Sequence, residues 1–276
     1  EWADSYNPDE LTLLPGWLNR NLERDLAKHP GYFPHEELTE TALRKVMAYY
    51  YALITQMDFQ IGRMIDTLKA QGQYDNTMIV FTSDHGEYLG FHHLLLKGNY
   101  MYDPLVKTPL IIKPAGSKGE AVVHEQLVSG SDLAPTILQQ ADVPLGEHME
   151  PVDLIAGQGS RDMVFAELLA EDYMVRTRDF KLLLSKAGDH QLYDLAINPM
   201  EYHNVYEHPE YTEVVRDLRK ALLDWQLFER PAPNHLDYSA ATVAGPNVPD
   251  DPEAAQAEMR NFVQAKMGQT MADGGQ

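Results

Sequence analysis

The sequence predicts an α/β sandwich with a small antiparallel sheet and helix behind it, and three observations carry that prediction. A long helical periodicity leads directly into the apolar run Met78-Ile79-Val80-Phe81; a second short run, Leu110-Ile111-Ile112, precedes another helix; and after Arg161 the texture changes to short strand-like runs closed by one helix. At 276 residues and 44% hydrophobic content the chain is long and apolar enough to bury a large core, so disorder is excluded as its overall state.

Taken in order, residues 1–36 hold Pro8, Pro15, Pro30 and Pro34 between short apolar groups, which suits an irregular segment with short helices. From Glu37 the pattern turns helical: Leu43, Val46, Met47, Tyr50, Leu53, Ile54, Met57, Ile61, Met64, Ile65 and Leu68 recur at helix spacing, Thr39 or Thr41 caps the start, and Gly72 ends it. The Met78–Phe81 run has no polar face and predicts a strand buried on both sides in a mainly parallel sheet. Leu110–Ile112 predicts a second buried strand before the turn Pro114-Ala115-Gly116. Ser131 or Asp132 caps the next helix, whose first turn accommodates Pro135.

Beyond Arg161, Met163–Ala166, Tyr173–Arg176 and Phe180–Leu184 predict consecutive antiparallel strands, and Val214, Val215, Leu218, Leu222 and Trp225 lie on one face of a helix from Glu210 to Phe228. The expected organisation is an α/β core over residues 1–158, a small subdomain over 159–230, and a tail over 231–276. The tail is rich in Pro, Ala, Asp and Gly, carries a helical pattern around Glu253 to Met267, and is expected to be either a mobile tail or an arm for homo-oligomer contacts.

A formal net charge of −20 argues against nucleic acid as a partner, because phosphate binding needs a clustered basic surface. No run of about 18 apolar residues is present, so no membrane span is predicted. Zero cysteines excludes disulfides and thiolate metal sites within this chain and leaves the compartment open between cytoplasm and periplasm.

The chemistry-bearing stretch is Thr82-Ser83-Asp84-His85-Gly86-Glu87, delivered to the end of the first predicted strand, where open α/β sheets keep their sites. Asp84 and His85 either coordinate a divalent metal, or cap the next turn and lie on the surface. A carboxylate suits Ca²⁺, and an added imidazole also suits Mn²⁺, Zn²⁺ or Fe²⁺. Lys97, after three leucines, either reaches a site or snorkels from an apolar patch.

The segment continues Leu89-Gly90-Phe91-His92, Lys97, Met101-Tyr102-Asp103 and Thr108-Pro109-Leu110-Ile111-Ile112, with Ser131-Asp132-Leu133-Ala134-Pro135-Thr136 and Leu192-Tyr193-Asp194-Leu195 downstream. In this order and spacing it resembles the sulfatase family of the alkaline phosphatase superfamily, including its phosphonate monoester hydrolase and choline sulfatase branches. The resemblance runs over roughly residues 1–230, with Asn198 standing where the family usually shows Asp. It implies an alkaline phosphatase-like α/β sandwich, incomplete at its N-terminus, and hydrolysis of small-molecule sulfate esters.

The resemblance also implies roles: Asp84 and His85 as metal ligands, Ca²⁺ first and Mn²⁺ as alternative; Lys97 on the sulfate and ester oxygens; His92 as proton donor to the leaving group. His93, Asn99 and Tyr100 on the same loop are expected substrate contacts, although His93 has no counterpart in the family and reads equally as structural. The family's nucleophile is a formylglycine made from Cys or Ser in C/S-x-P-x-R, and no such motif occurs here. The expectation is therefore a C-terminal part of a sulfatase, inactive alone, with the nucleophile upstream. The rival readings are a phosphonate or phosphate ester hydrolase on the same fold, and a non-catalytic binding protein that retains the fold.

Overall fold

The computed structural model describes residues 2–27, 37–118, 121–146, 149–157 and 161–229. The chain divides into two units, Glu1–Arg230 and Pro231–Gln276. The second unit, and with it the tail arm and the helical pattern expected near residues 253–267, lies outside the described residues.

A short helix α1 (Glu23–Ala27) precedes α2 (Glu40–Ala70), a helix of 31 residues. Thr39 is the N-cap, its side chain accepting the Ala42 N–H, and Gly72 follows the C-cap at φ +66°, so both sequence signals hold. The first half of α2 buries Leu43 and Met47 against Leu89, Leu95, Leu13 and Trp17. The expectation of a core helix along its whole length is corrected beyond Ala52: Leu53, Ile54, Met57 and Met64 are exposed, while Trp2 and Tyr6 lie against Phe59 and Thr55.

Strand β1 (Ile79–Thr82) pairs with β2 (Leu110–Lys113) in a two-stranded sheet, Ile79 opposite Lys113 and Thr82 opposite Leu110. The pairing is antiparallel, which corrects the expected parallel sheet. The chain between the strands, including α3 (Asp103–Val106), folds back at the same end of β1 from which it left, and a parallel pair would need a crossover to the opposite end. Nor are the strands buried on both sides: β1 is half-buried and Ile111 of β2 is 63% exposed.

Helix α4 (Leu133–Gln140) follows a 3₁₀ turn at Gly130–Asp132. Asp132, one of the two residues the sequence suggested, is the N-cap of α4, though its side chain makes no cap bond there; the bonded cap belongs to the preceding turn, at Ser129. The Ser129 side chain receives the Ser131 N–H, while Asp132 returns a bond to the Ser129 N–H at 2.8 Å.

The C-terminal segment forms an antiparallel sheet in the order β3-β4-β5-β6: β3 (Val164–Leu168), β4 (Asp172–Arg176), β5 (Phe180–Ser185) and β6 (Gln191–Asp194). Helix α5 (Thr212–Asp224) lays Leu218 and Leu222 on Val175, Leu182 and Leu192, with Phe165 stacked on Trp225 at 5.0 Å. Strand β6 was not anticipated as a strand. Among the described residues no helix is long and apolar enough to cross a membrane.

Candidate active site

Asp84 and His85 stand where β1 ends. The Asp84 carboxylate is exposed and turns back on its own backbone, Oδ1 accepting the His85 N–H at 2.9 Å with the Ser83 hydroxyl oxygen 3.3 Å away. These bonds, led by the His85 N–H, hold its carboxyl below the usual carboxylate range. His85 Nδ1 lies 2.8 Å from the Gly86 carbonyl. A carbonyl only accepts, so Nδ1 carries the proton and Nε2 is left as a lone pair in the neutral ring.

That lone pair lies 3.6 Å from Asp84 Oδ2. Two bonds of about 2.1–2.4 Å to one ion span such a gap, so the pair fits a divalent cation as two ligands of its coordination sphere. No group of three or more potential ligands occurs among the described residues. A cleft of about 500 Å³ opens beside this strand end, with Ser83, Asp84, Thr108 and Ser129 among its polar groups and Val128, Phe165 and Met174 among its apolar ones.

The loop from Gly86 to Tyr102 is a buried loop with unusual backbone. Leu89, His92, His93 and Leu96 all have φ between +44° and +65° without being glycine, a cost of order 1–3 kcal/mol each in general. The conformation is held by internal bonds such as Gly90 N–H to Leu94 O at 2.8 Å and Tyr88 N–H to Leu96 O at 3.1 Å, and by His92 N–H to Gly16 O at 2.8 Å. Gly90 sits at φ +97° with its Cα against Leu43 and Trp17, so neither the dihedral nor the space admits a side chain. The loop's side chains divide between two cores: Leu89 and Leu95 pack on α2, whereas Tyr88, Phe91 and Leu94 join Tyr102, Leu105 and Tyr193.

This packing places the residues expected to meet substrate. Lys97 is exposed on the loop. Asn99 is half-buried and borders a groove of about 370 Å³ with Leu169, Glu171 and Lys186. His92 is corrected: its ring is 0% exposed, stacked on Phe91 at 4.1 Å and on Tyr202 at 5.4 Å, with Nε2 donating to Met200 O at 2.8 Å. Its other nitrogen faces Asp25 Oδ2 at 3.7 Å, so neither nitrogen reaches an open cleft and a leaving group finds no path to it.

His93 and Tyr100 are corrected in the same way. His93 is buried beside Trp17 with Nδ1 against Leu18 O at 2.9 Å, and Tyr100 is buried with its hydroxyl on the Asp25 carbonyl, bordering a void of about 10 Å³. Both look inward because the loop folds onto residues 16–25.

Sequence reasoning missed two polar clusters. In one, Asp25, fully buried, accepts the Tyr102 hydroxyl at 2.5 Å while Arg24 donates to Tyr102 Oη, Glu201 O and Tyr202 O. In the other, Lys181 on β5 meets Asp103 and Glu201. A lysine at an inward position of the apolar strand Phe-Lys-Leu-Leu-Leu-Ser was the one available signal.

The α/β fold that carries this carboxylate-imidazole pair has known relatives. The model of the family described as Sulfatase matches residues 23–143, and that of N-sulphoglucosamine sulphohydrolase, C-terminal, matches residues 90–227. The arylsulfatase of Clostridium perfringens is 32% identical over 236 residues, 80% of this chain and 49% of the relative. The phosphonate monoester hydrolase of Agrobacterium radiobacter superposes with a TM-score of 0.59 at 29% identity, covering 69% of this chain and 43% of that one. A protein solved with its substrate D-glucosamine-2-N,6-O-disulfate superposes with a TM-score of 0.57 at 28% identity, covering 68% and 41%. The chain belongs to the sulfatase family and has its α/β fold. It spans about half the length, or less, of the relatives it matches.

Proposed function

We propose that this chain forms part of a metal-dependent hydrolase of sulfate esters, with Asp84 and His85 as two of the metal ligands. The observation that carries this reading is the pair's geometry at the end of β1: Nδ1–H committed to Gly86 O leaves Nε2 beside Asp84 Oδ2, both free to share one ion. Ca²⁺ is the ion we favour and Mn²⁺ the alternative. When bound, the ion supplies positive charge for the ester's non-bridging oxygens.

The chain's own residues contribute position and charge. Ser83, donating to the His85 carbonyl at 2.7 Å, fixes the turn on which the ligands stand. Lys97 offers an exposed ammonium that offsets negative charge developing on the ester oxygen. Against a net charge of −20, such control has to be local, and screening over about 8 Å permits it. The nucleophile, a formylglycine in the family, is proposed to come from polypeptide outside these residues, since the chain has no cysteine and no S-x-P-x-R. Likeness to a phosphonate monoester hydrolase supports a second reading, hydrolysis of phosphonate esters at the same centre.

The test is hydrolysis of 4-nitrophenyl sulfate and of an aryl phosphonate by the product extended upstream in its source gene, with Ca²⁺ or Mn²⁺ supplied. Turnover should fall about a hundredfold or more in Lys97→Ala, as removal of one transition-state charge contact does elsewhere, and vanish in Asp84→Ala. The faster anion chooses between the readings. Turnover indifferent to Asp84→Ala would sink the assignment.

A further inference from the structure

We propose that Lys181 is a positioning residue for the Asp84-His85 pair, acting through Asp103 and α3; the functional part of this inference rests on the metal-site reading above. Lys181 and Arg176 are directly opposed in the register of β5 and β4. Two cations side by side on one sheet destabilise it unless anions intervene. Here the anions come from elsewhere in the chain. Lys181, 0% exposed, directs Nζ to Asp103 Oδ1 at 2.5 Å, Glu201 Oε1 at 2.7 Å and Met101 O at 3.1 Å, which uses all three of its protons. Arg176 holds the same aspartate from the outer side, Nη2 to Oδ2 at 3.0 Å and Nε to Oδ1 at 3.2 Å.

Asp103 is therefore the acidic plug of a dicationic notch in the sheet. Its main chain is held too, the N–H donating to Glu201 Oε2 at 2.8 Å. Because Asp103 is the first residue of α3, fixing it fixes the helix. Two α3 carbonyls then reach the residues just after the proposed ligands: Leu105 O accepts the Gly86 N–H at 2.7 Å and Pro104 O accepts the Glu87 N–H at 3.2 Å. The approach is so close that a Cβ on Gly86 would lie 1.9 Å from Pro104 O. A continuous path of short contacts thus runs from Lys181 through Asp103 and α3 to Gly86, whose carbonyl sets the tautomer of His85. Lys181 touches neither proposed ligand.

The test reads the far end of the path in this chain itself. Amide hydrogen exchange at Gly86 and Glu87 should accelerate about tenfold or more in Lys181→Met and in Asp103→Asn, with the β5-β6 ladder still protected. Asp103→Glu, which restores the charge, should recover most of the protection. Mn²⁺ affinity of the upstream-extended product, measured with the metal alone, should fall in parallel in the first two variants and return in the third.

Should Lys181→Met fail to fold, Asp103→Asn keeps the volume of a partly exposed residue and decides the matter. A folded Asp103→Asn with unchanged exchange at Gly86 and Glu87 would overturn the proposal, as would acceleration spread equally over the whole sheet. Absence of both Ca²⁺ and Mn²⁺ binding by the upstream-extended product with unaltered Lys181 and Asp103 would instead refute the metal reading, while the exchange result still decides whether the path exists.

Discussion

Replacing Gly86 by alanine probes the closest backbone approach near the site. The new Cβ would sit 1.9 Å from Pro104 O and 3.0 Å from Pro104 C, both main-chain atoms that no rotamer change can remove. Relief to about 3.0 Å means parting the Gly86 turn from α3 by roughly 1.1 Å, a gap at which the Gly86–Leu105 and Glu87–Pro104 bonds, now 2.7 and 3.2 Å, both fail. Two backbone bonds at about 1 kcal/mol each, with about 1–3 kcal/mol for forced overpacking, give a loss of about 3–5 kcal/mol.

At about 2–4 °C per kcal/mol, thermal unfolding should shift down by about 6–20 °C. The control is Gly62→Ala in the middle of α2, where nothing lies within 4 Å of the added carbon. It should raise stability by about 0.5–1 kcal/mol through helix propensity alone. Urea denaturation of both variants measures the difference. A loss below about 1 kcal/mol for Gly86→Ala, with Gly62→Ala behaving as stated, would refute the account of this contact.

Two further outcomes follow from the buried polar clusters. Burial pushes the Asp103 carboxyl up, but Lys181 and Arg176 outweigh it and hold it below the ordinary value near 3.8. Its folded-state pKa being lower, its stabilisation is present above about pH 4 and lost as pH falls through the folded value; the acid limb of stability against pH should be shallower in Asp103→Asn by up to about 1.4 kcal/mol per pH unit, and identical limbs would contradict it. At Asp25, Oδ2 and His92 Nδ1 face each other without hydrogen-bond partners while Nε2 donates to Met200 O. An asparagine amide can donate to that nitrogen, so Asp25→Asn should change unfolding free energy by less than about 1 kcal/mol, whereas Asp25→Ala, which orphans the Tyr102 hydroxyl, should cost about 2–3 kcal/mol; equal losses in chemical denaturation would rule this out.

The elements themselves were legible because their signals are local. The Thr39 cap, the α2 periodicity and the strands β3, β4 and β5 each depend on neighbours within a few residues, and each stands close to where the sequence put it. The strand end bearing Asp84 and His85 was legible for the same reason. What failed was everything that depends on distant partners. His92, His93 and Tyr100 read as site residues because they follow Lys97 or precede it closely, yet their surroundings are supplied by residues 16–25 and 200–202. The direction of β2 depended on where the intervening loop turns, and no periodicity encodes that.

The bond from Asp103 to Glu201 joins residues 98 positions apart, and this separation has a consequence for synthesis. Ribosomes add about 5–20 residues per second, so the site-bearing loop emerges about 5–20 s before the glutamate that fastens it. During that interval Tyr88, Phe91 and Leu94 wait for Tyr193 and Leu195 to complete their core, whereas Leu95 and the positive-φ turns already have α2, Gly16 and the loop's own bonds. One side of the loop can therefore dock on α2 while its other side stays exposed until the C-terminal sheet is made.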